Sequence, residues 1–477
     1  MFMSSTYCAA PSRSREYGVG RWAFRRTKPA DAAAPAPDRR RRRALIARHR
    51  DVSGRLGIMR ATPDPPIDPS STIPASPGDR PGISGSLVVL FAITCGVSVS
   101  SLYVLQPVLE EIRQDFDVST STAALVVTAA QLGYAMGLLF LVPLGDLLNR
   151  KLLAPSMMVA SAVALLLSGL APGFGTLFVA SILAGVCAAT AQIVLPWSAS
   201  LAVPSDRGRV VGMVMSGLLL GILLARVVSG LIAEFGGWRS VLFTGAGLMI
   251  VLAVVVYVSV PPDAPRPRQP YGQLLISVAR IVRAETMLRQ RMLLGFLTMF
   301  GFSAMWTSIA FLLSGSRGEH FSYSEAAIGL FGLAGVAGAA AAPLFGKLAD
   351  RGHLRMATTA AWVVTIIGWL SLAWPGTPLA ALLIGLVVFD FGVQASQLAN
   401  QSAIYSLAPE ERSRVTTAYM VTYFAGAVAG SVSSGYAYGA GGWIAVCLSG
   451  IGVAVTGLLA WLVFDHWNER RTGQSVR

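Results

Sequence analysis

Two ionisable side chains fall deep inside long apolar runs of this 477-residue chain: Arg226, in GILLARVVSG (221–230), and Asp390, in LLIGLVVFDFGVQ (382–394). A charge at the centre of a membrane-spanning helix costs roughly 2.5–3.5 kcal/mol even on the lenient insertion scale, so each needs a function or a partner. Three chemistries fit Arg226: it binds an anionic group of a solute, it pairs with Asp390 as a coupling switch, or it anchors a purely structural pair. Burial favours the neutral form of a carboxyl, and a nearby arginine favours the ionised form. Asp390 is therefore a candidate proton carrier, and its movement relative to Arg226 would couple proton occupancy to conformation.

A polar stripe starts at the same aspartate. Asp390, Gln394, Gln397 and Gln401 are spaced i, i+4, i+7 and i+11, so they share one face of a helix. Hydrocarbon offers such groups no partner, and the face must look onto protein or a watered cavity. Gln106, Gln131, Tyr134 and Gln192 add polar groups in other apolar runs. Hydrogen bonding that merely holds helices together is the alternative for all of them.

The elements that must position these side chains are spanning helices. The chain is 54% hydrophobic and 13% charged, about half the charge of a soluble domain. Runs long enough to cross a bilayer core of about 30 Å occupy 85–107, 122–143, 152–171, 175–203, 210–234 and 240–260. They resume at 292–314, 325–345, 356–374, 378–407, 415–438 and 444–464. These are called spans 1 to 12. At 1.5 Å per residue, Arg226 lies roughly 12 Å and Asp390 roughly 18 Å from the same end of the bundle, close enough for a long side chain to meet its partner.

Loop charge sets the orientation. The loops after spans 2, 4, 6, 8 and 10, with the C-terminal tail, hold 18 Lys and Arg; the opposite set holds three, Arg113, Arg239 and Arg317. The positive-inside rule makes the base-rich end, both termini and the central loop cytoplasmic. The formal charge of +14 thus reflects topology and a basic tail rather than a nucleic-acid partner. Residues 1–84, with five consecutive arginines at 39–43 and no apolar period, read as a disordered tail. Residues 85–260 form one six-helix bundle, 261–291 the central loop, 292–464 a second bundle and 465–477 a short cytoplasmic tail. In the central loop, Leu274, Leu275, Val278, Ile281 and Val282 follow helical spacing, which predicts a helix lying along the membrane face. Cys8, Cys95, Cys187 and Cys447 are scattered, implying neither a disulfide framework nor a metal site. No cofactor is expected.

Shifting the chain by 205 residues aligns its halves. DRGRV (206–210) falls on ERSRV (411–415), GGW (236–238) on GGW (441–443), and Gln192 on Gln397. With a one-residue slip, Asp146 in GDLLNRK falls on Asp350 in ADRGHLR. A parallel six-helix duplication, a basic central loop and GKLADRG (346–352) together resemble the major facilitator superfamily. The segments YVLQPVLEEI (103–112) and GILLAR (221–226) look like its bacterial arabinose-efflux and drug-efflux permeases. The resemblance implies an all-α integral membrane fold of twelve helices in two pseudo-symmetric bundles, with spans 5 and 10 bordering a central cavity. It also implies that Asp146, Arg150, Lys151, Asp350 and Arg351 gate the cytoplasmic side.

The expected function is secondary active transport in a bacterial inner membrane by a monomer whose partners are a small-molecule substrate, protons and the lipid bilayer. Export of a small organic solute by proton antiport leads, and proton-coupled uptake of a metabolite follows. A polytopic enzyme or a channel is the remote alternative. The four histidines form no catalytic cluster, and two repeated halves suit alternating access better than a pore.

Overall fold

The computed structural model describes residues 83–261, 270–317, 320–335, 353–374, 376, 378–405, 407 and 412–474, all within one compact unit. The tail up to residue 82, and Asp350 and Arg351 of the loop after span 8, lie outside them. Every regular element among the described residues is helical.

Polar caps mark where spans begin. The Ser84 hydroxyl accepts from the Leu87 amide to start Gly85–Ser100, and Ser119 accepts from the Thr122 amide to start Thr120–Met136. Asn149 does the same for Arg150–Gly169 through the Lys151 amide at 2.9 Å. Such side chains satisfy amides that have no partner inside the helix. Span 4 is built from Phe174–Ala188 and Thr190–Leu201, span 7 from Thr286–Leu313, span 9 from Leu354–Leu372 and span 10 from Leu379–Tyr405. Span 8 opens as Glu325–Phe331 and continues as a 3-10 turn, Gly332–Ala334.

Two helices are twice the length of the others, and each is a pair of spans joined at a glycine. Arg207–Ser259 carries spans 5 and 6 and breaks at Gly237, with φ 73°. Arg412–Gln474 carries spans 11 and 12 and breaks at Gly442, with φ 64°. These are repeat-related glycines of the two GGW triplets. A positive φ is what glycine supplies without strain, and the tryptophan that follows each is buried. The first turn is also held from outside: Glu111 Oε1 accepts from the Trp238 amide at 3.1 Å. With these joined pairs, the helices are consistent with twelve crossings.

Two departures from the apolar pattern matter for the site. The regular helix of span 1 stops at Ser100, and residues 101–108 run through turns. Gln106 precedes Pro107, and a residue before proline is disfavoured in helical geometry. Irregular backbone at this depth must be enclosed by protein, and it is: Ser229 Oγ of span 5 donates to the Val104 carbonyl. In the central loop, the helix Tyr271–Ala284 ends at Glu285, and span 7 begins six residues before the apolar run does. The predicted apolar face exists, and Val278, Ile281 and Val282 pack on the bundle core.

Among the described residues, the halves meet closely at the base-poor end. A Cβ placed on Gly329 of span 8 would lie 2.5 Å from the Arg226 carbonyl of span 5, and one on Gly230 would run into the Glu325 carbonyl. A Cβ on Gly435 of span 11 would sit 2.8 Å from Ala124 of span 2. Only glycine permits backbones to approach this closely, and these contacts close the bundle at that end.

Candidate functional site

Gln106, released from the helix by Pro107, faces span 5, and Arg226 Nε donates to its Oε1 at 2.8 Å. Span 8 adds no side chain where it crosses Arg226: a Cβ on Gly332 would be 3.0 Å from that of the arginine. The guanidinium lies over the indole of Trp306, 3.9 Å from the ring centroid, with Tyr103 at 5.1 Å and Phe302 at 5.7 Å. A desolvated cation over tryptophan gains about 2 kcal/mol. Trp306 Nε1 then donates to Asp390 Oδ1 at 3.3 Å. All four side chains are no more than 3% exposed. The contact chain Gln106–Arg226–Trp306–Asp390 thus joins spans 1 and 5 of one half to spans 7 and 10 of the other.

Arg226 and Asp390 are brought to one indole without forming an ion pair: the guanidinium lies over the face of Trp306 and the carboxylate at its N–H edge. Two of the three readings from sequence, the coupling switch and the structural anchor, assume a direct ion pair, which this arrangement does not form. Trp306 itself escaped the sequence reading, since an aromatic residue in an apolar run looks like core. Its signal was depth: tryptophans of membrane helices concentrate at the interfaces, and this one lies mid-span.

The other candidates divide by what they touch. Gln131 of span 2 exchanges hydrogen bonds with Ser303 of span 7, at 2.8 and 3.0 Å, across the seam. Gln192 donates to the Tyr134 hydroxyl at 3.1 Å, and the Tyr134 ring meets Phe424 of span 11 at 4.5 Å. Gln397 accepts from the Tyr419 hydroxyl at 2.6 Å. Gln394 and Gln401 are half-buried and have no hydrogen-bond partner among the described residues.

A second buried cation was hidden by the boundary of span 7. Arg291, 4% exposed, donates to Thr358 Oγ1 at 3.1 Å and Asn400 Oδ1 at 3.2 Å, and lies 4.6 Å from the Trp461 ring. It ties together spans 7, 9, 10 and 12. In the loop after span 2, Arg150 holds the Gly145 carbonyl at 2.7 Å and Asp146 at 3.0 Å, and Lys151 sits over Tyr257 at 5.8 Å.

Among the described residues, no group of three His, Cys, Asp or Glu comes together as a metal site would need. A cleft of about 420 Å³ lies between spans 1, 3, 5 and 6. Its walls include Val89, Ile93, Leu220 and Leu248, which are exposed on the outside of the bundle, and it offers no charge.

The sequence profile of the Major Facilitator Superfamily matches residues 90–410 and 292–475. The chain belongs to this superfamily. It is 44% identical over 387 residues to YgaY of Escherichia coli K12, covering 81% of this chain and 98% of that one. It is 35% identical over 415 residues to SCO4007 of Streptomyces coelicolor, covering 83% and 93%. Both relatives are named as transporters. Among solved structures, a bacterial homologue of the human lysosomal transporter Spinster, inward-facing and occupied, aligns with a TM-score of 0.66 at 14% identity, covering 80% of this chain and 96% of that chain. The nucleoside transporter NupG gives a TM-score of 0.63 at 15% identity, covering 79% of this chain and 98% of that chain. At such identities the likeness is one of fold. The protein is a membrane transporter of the major facilitator type, all-helical and multi-pass.

Proposed function

We propose that this transporter moves a small organic solute by proton-coupled alternating access, with Arg226, Trp306 and Asp390 at the centre of the mechanism. One observation carries the reading: a buried cation of one half and a buried carboxyl of the other meet through a single indole at the seam about which the halves must rock. Taking up a proton at Asp390 changes the charge next to Arg226, so proton occupancy and the fit of the halves are linked. The half-buried Gln394, Gln397 and Gln401 continue that face of span 10 toward the base-rich end and line the solute path, with Gln131, Tyr134 and Gln192 opposite. Asp146, Arg150, Lys151, Asp350 and Arg351 gate that end.

The membrane is a bacterial inner membrane, with both termini and the base-rich end cytoplasmic, and the monomer is the working unit. Export by antiport draws its support from the likeness of YVLQPVLEEI and GILLAR to efflux permeases. Coupled uptake, in which proton and solute bind together, is the second reading. The test is a solute screen in inside-out vesicles, with dissipation of a pH gradient as the readout. Asp390→Asn is expected to abolish proton-driven flux while permitting solute exchange; full coupling in that variant would remove Asp390 from the mechanism.

A further inference from the structure

Two buried donors at the centre of the bundle have no acceptor. Arg226 Nη2 and Gln106 Nε2 are shielded from solvent and unbonded among the described residues, in side chains 3% and 2% exposed. The Gln106 amide is not free to turn: its Oε1 accepts from Arg226 Nε, so its Nε2 must present hydrogens elsewhere. Nε and Nη2 form one edge of the guanidinium fork, the edge with which Arg113 grips Glu110 through two parallel bonds. The unpartnered Nη2 therefore lies beside the Gln106 amide, and an acceptor seated there meets both donors.

The need is for charge as well as for an acceptor. A buried guanidinium without a counter-ion is far costlier than an unpaired neutral donor. The faces of Trp306, Tyr103 and Phe302 attract the cation but cannot accept its in-plane N–H groups. Asp390 sits at the edge of Trp306, where the indole N–H holds it.

We infer that Arg226 Nη2 and Gln106 Nε2 clasp the carboxylate of an organic anion, and that this anion binds together with a proton on Asp390 rather than in exchange for one. The inference rests on the proposed transport site in its coupled-uptake reading and gives it a substrate class. With Asp390 ionised, the Arg226–Asp390 couple is neutral, and an incoming carboxylate meets a like charge beside the same indole. With Asp390 protonated, the couple is cationic and the carboxylate neutralises it. Across such a short, desolvated gap the difference is roughly tenfold or more in affinity. Among the described residues, Arg226 is the one charged group bearing on Asp390; Trp306 of span 7 donates to the carboxylate, and Gly335 of span 8 packs against it without charge. Tyr103 of span 1 is the other titratable group bearing on Arg226.

The purified full-length protein is titrated with benzoate, hexanoate and succinate, and with benzamide, hexanamide and benzylamine as neutral and cationic counterparts. Binding is followed by calorimetry and by the thermal midpoint at mildly acidic and mildly alkaline pH. Carboxylates alone are expected to bind, about tenfold more tightly on the acid side, and in Asp390→Asn the tighter affinity holds at both. Gln106→Glu supplies the missing carboxylate from the protein itself: it should raise the midpoint of the ligand-free protein and erase the response to benzoate. Gln106→Leu leaves Arg226 in place and should weaken carboxylate binding by about tenfold or more. Preference for the amine or amides, no response to any carboxylate, affinity that strengthens as the pH rises, or a Gln106→Glu protein that still binds benzoate overturns the inference. Carboxylates that bind but are not carried in proteoliposomes would leave the clasp standing and remove the transport reading. Carriage of the amine instead would do the reverse.

Discussion

Gly329→Ala tests whether closure of the base-poor end depends on bare backbone contact. A methyl at Gly329 would stand 2.5 Å from the Arg226 carbonyl oxygen, whereas an ordinary carbon–oxygen contact is about 3.4 Å or more. Both atoms belong to helical backbone, so neither can rotate away, and spans 5 and 8 must part by about 0.9 Å at their crossing. Overpacking of this kind costs about 1–3 kcal/mol, and the cost falls only on the closed state. The equilibrium between closed and open forms should therefore move roughly 5- to 150-fold toward opening at that end.

A cysteine at Val127 reports the shift. That side chain is 1% exposed, and its cluster joins spans 2 and 7, so a membrane-impermeant thiol reagent reaches it only when the halves separate. Val127→Cys should label slowly in the parent background and at least several-fold faster with Gly329→Ala. Gly212→Ala, in the same span 5 but with open space around it, is the control and should change nothing. Equal labelling in the Gly329 and Gly212 variants would refute the argument that this glycine crossing sets the closed state.

Arg291→Met removes two hydrogen bonds and a cation over Trp461; the expected loss is about 2–4 kcal/mol of stability, read as a lower thermal midpoint, and an unchanged midpoint would count against a structural role. Burial pushes the Glu111 carboxyl above its usual range, the Trp238 amide opposes this, and the charge of Glu325 adds to the rise. The neutral form thus fits the fold better, and its stabilising effect is present below about pH 4 and lost as the pH rises through the elevated value. Glu111→Gln should raise the thermal midpoint at neutral pH, with the gain fading in acid; a uniform effect at all pH values would contradict this. Tyr134→Phe, which leaves Gln192 without its partner at the seam, should cost about 1 kcal/mol, measurable by chemical unfolding in micelles. Deleting residues 1–58 should leave membrane insertion and transport intact in vesicle assays, because that stretch has no apolar period to pack.

How much of this was legible in the sequence depends on what kind of signal each feature leaves. Span length, the 205-residue repeat and the GGW turns are written in period and spacing, and both triplets take the same positive-φ break at their central glycine. Arg226 and Asp390 stood out because charge is conspicuous in an apolar run. What stayed hidden had no such contrast. Trp306 counts as apolar until a cation lies on its face. Arg291 precedes the apolar run by one residue, so it read as a loop arginine, whereas the helix starts at Thr286 and carries it into the bundle. The end of regular helix at Ser100 was written in the sequence as Gln106–Pro107, but the six-residue turn region ahead of the proline could not be read from that dipeptide alone.

The repeat also separates scaffold from chemistry. Residues that persist at the 205-residue offset do similar work in both halves: Gly237 and Gly442 break their helices alike, and Gln192 and Gln397 each bond a tyrosine hydroxyl. The contact chain at the seam has no such copies. The positions that correspond to Arg226, Asp390, Gln106 and Trp306 are Ser431, Gly185, Phe311 and Ser101. Ser431 bonds the Ala124 carbonyl, and Gly185 admits the Ala130 backbone, both ordinary packing roles. A duplicated bundle alone would place like against like at its seam. Here the cation came to one half and the carboxyl to the other, so the charges oppose each other where the halves move. That asymmetry, rather than the fold, is what the proposed proton coupling draws on.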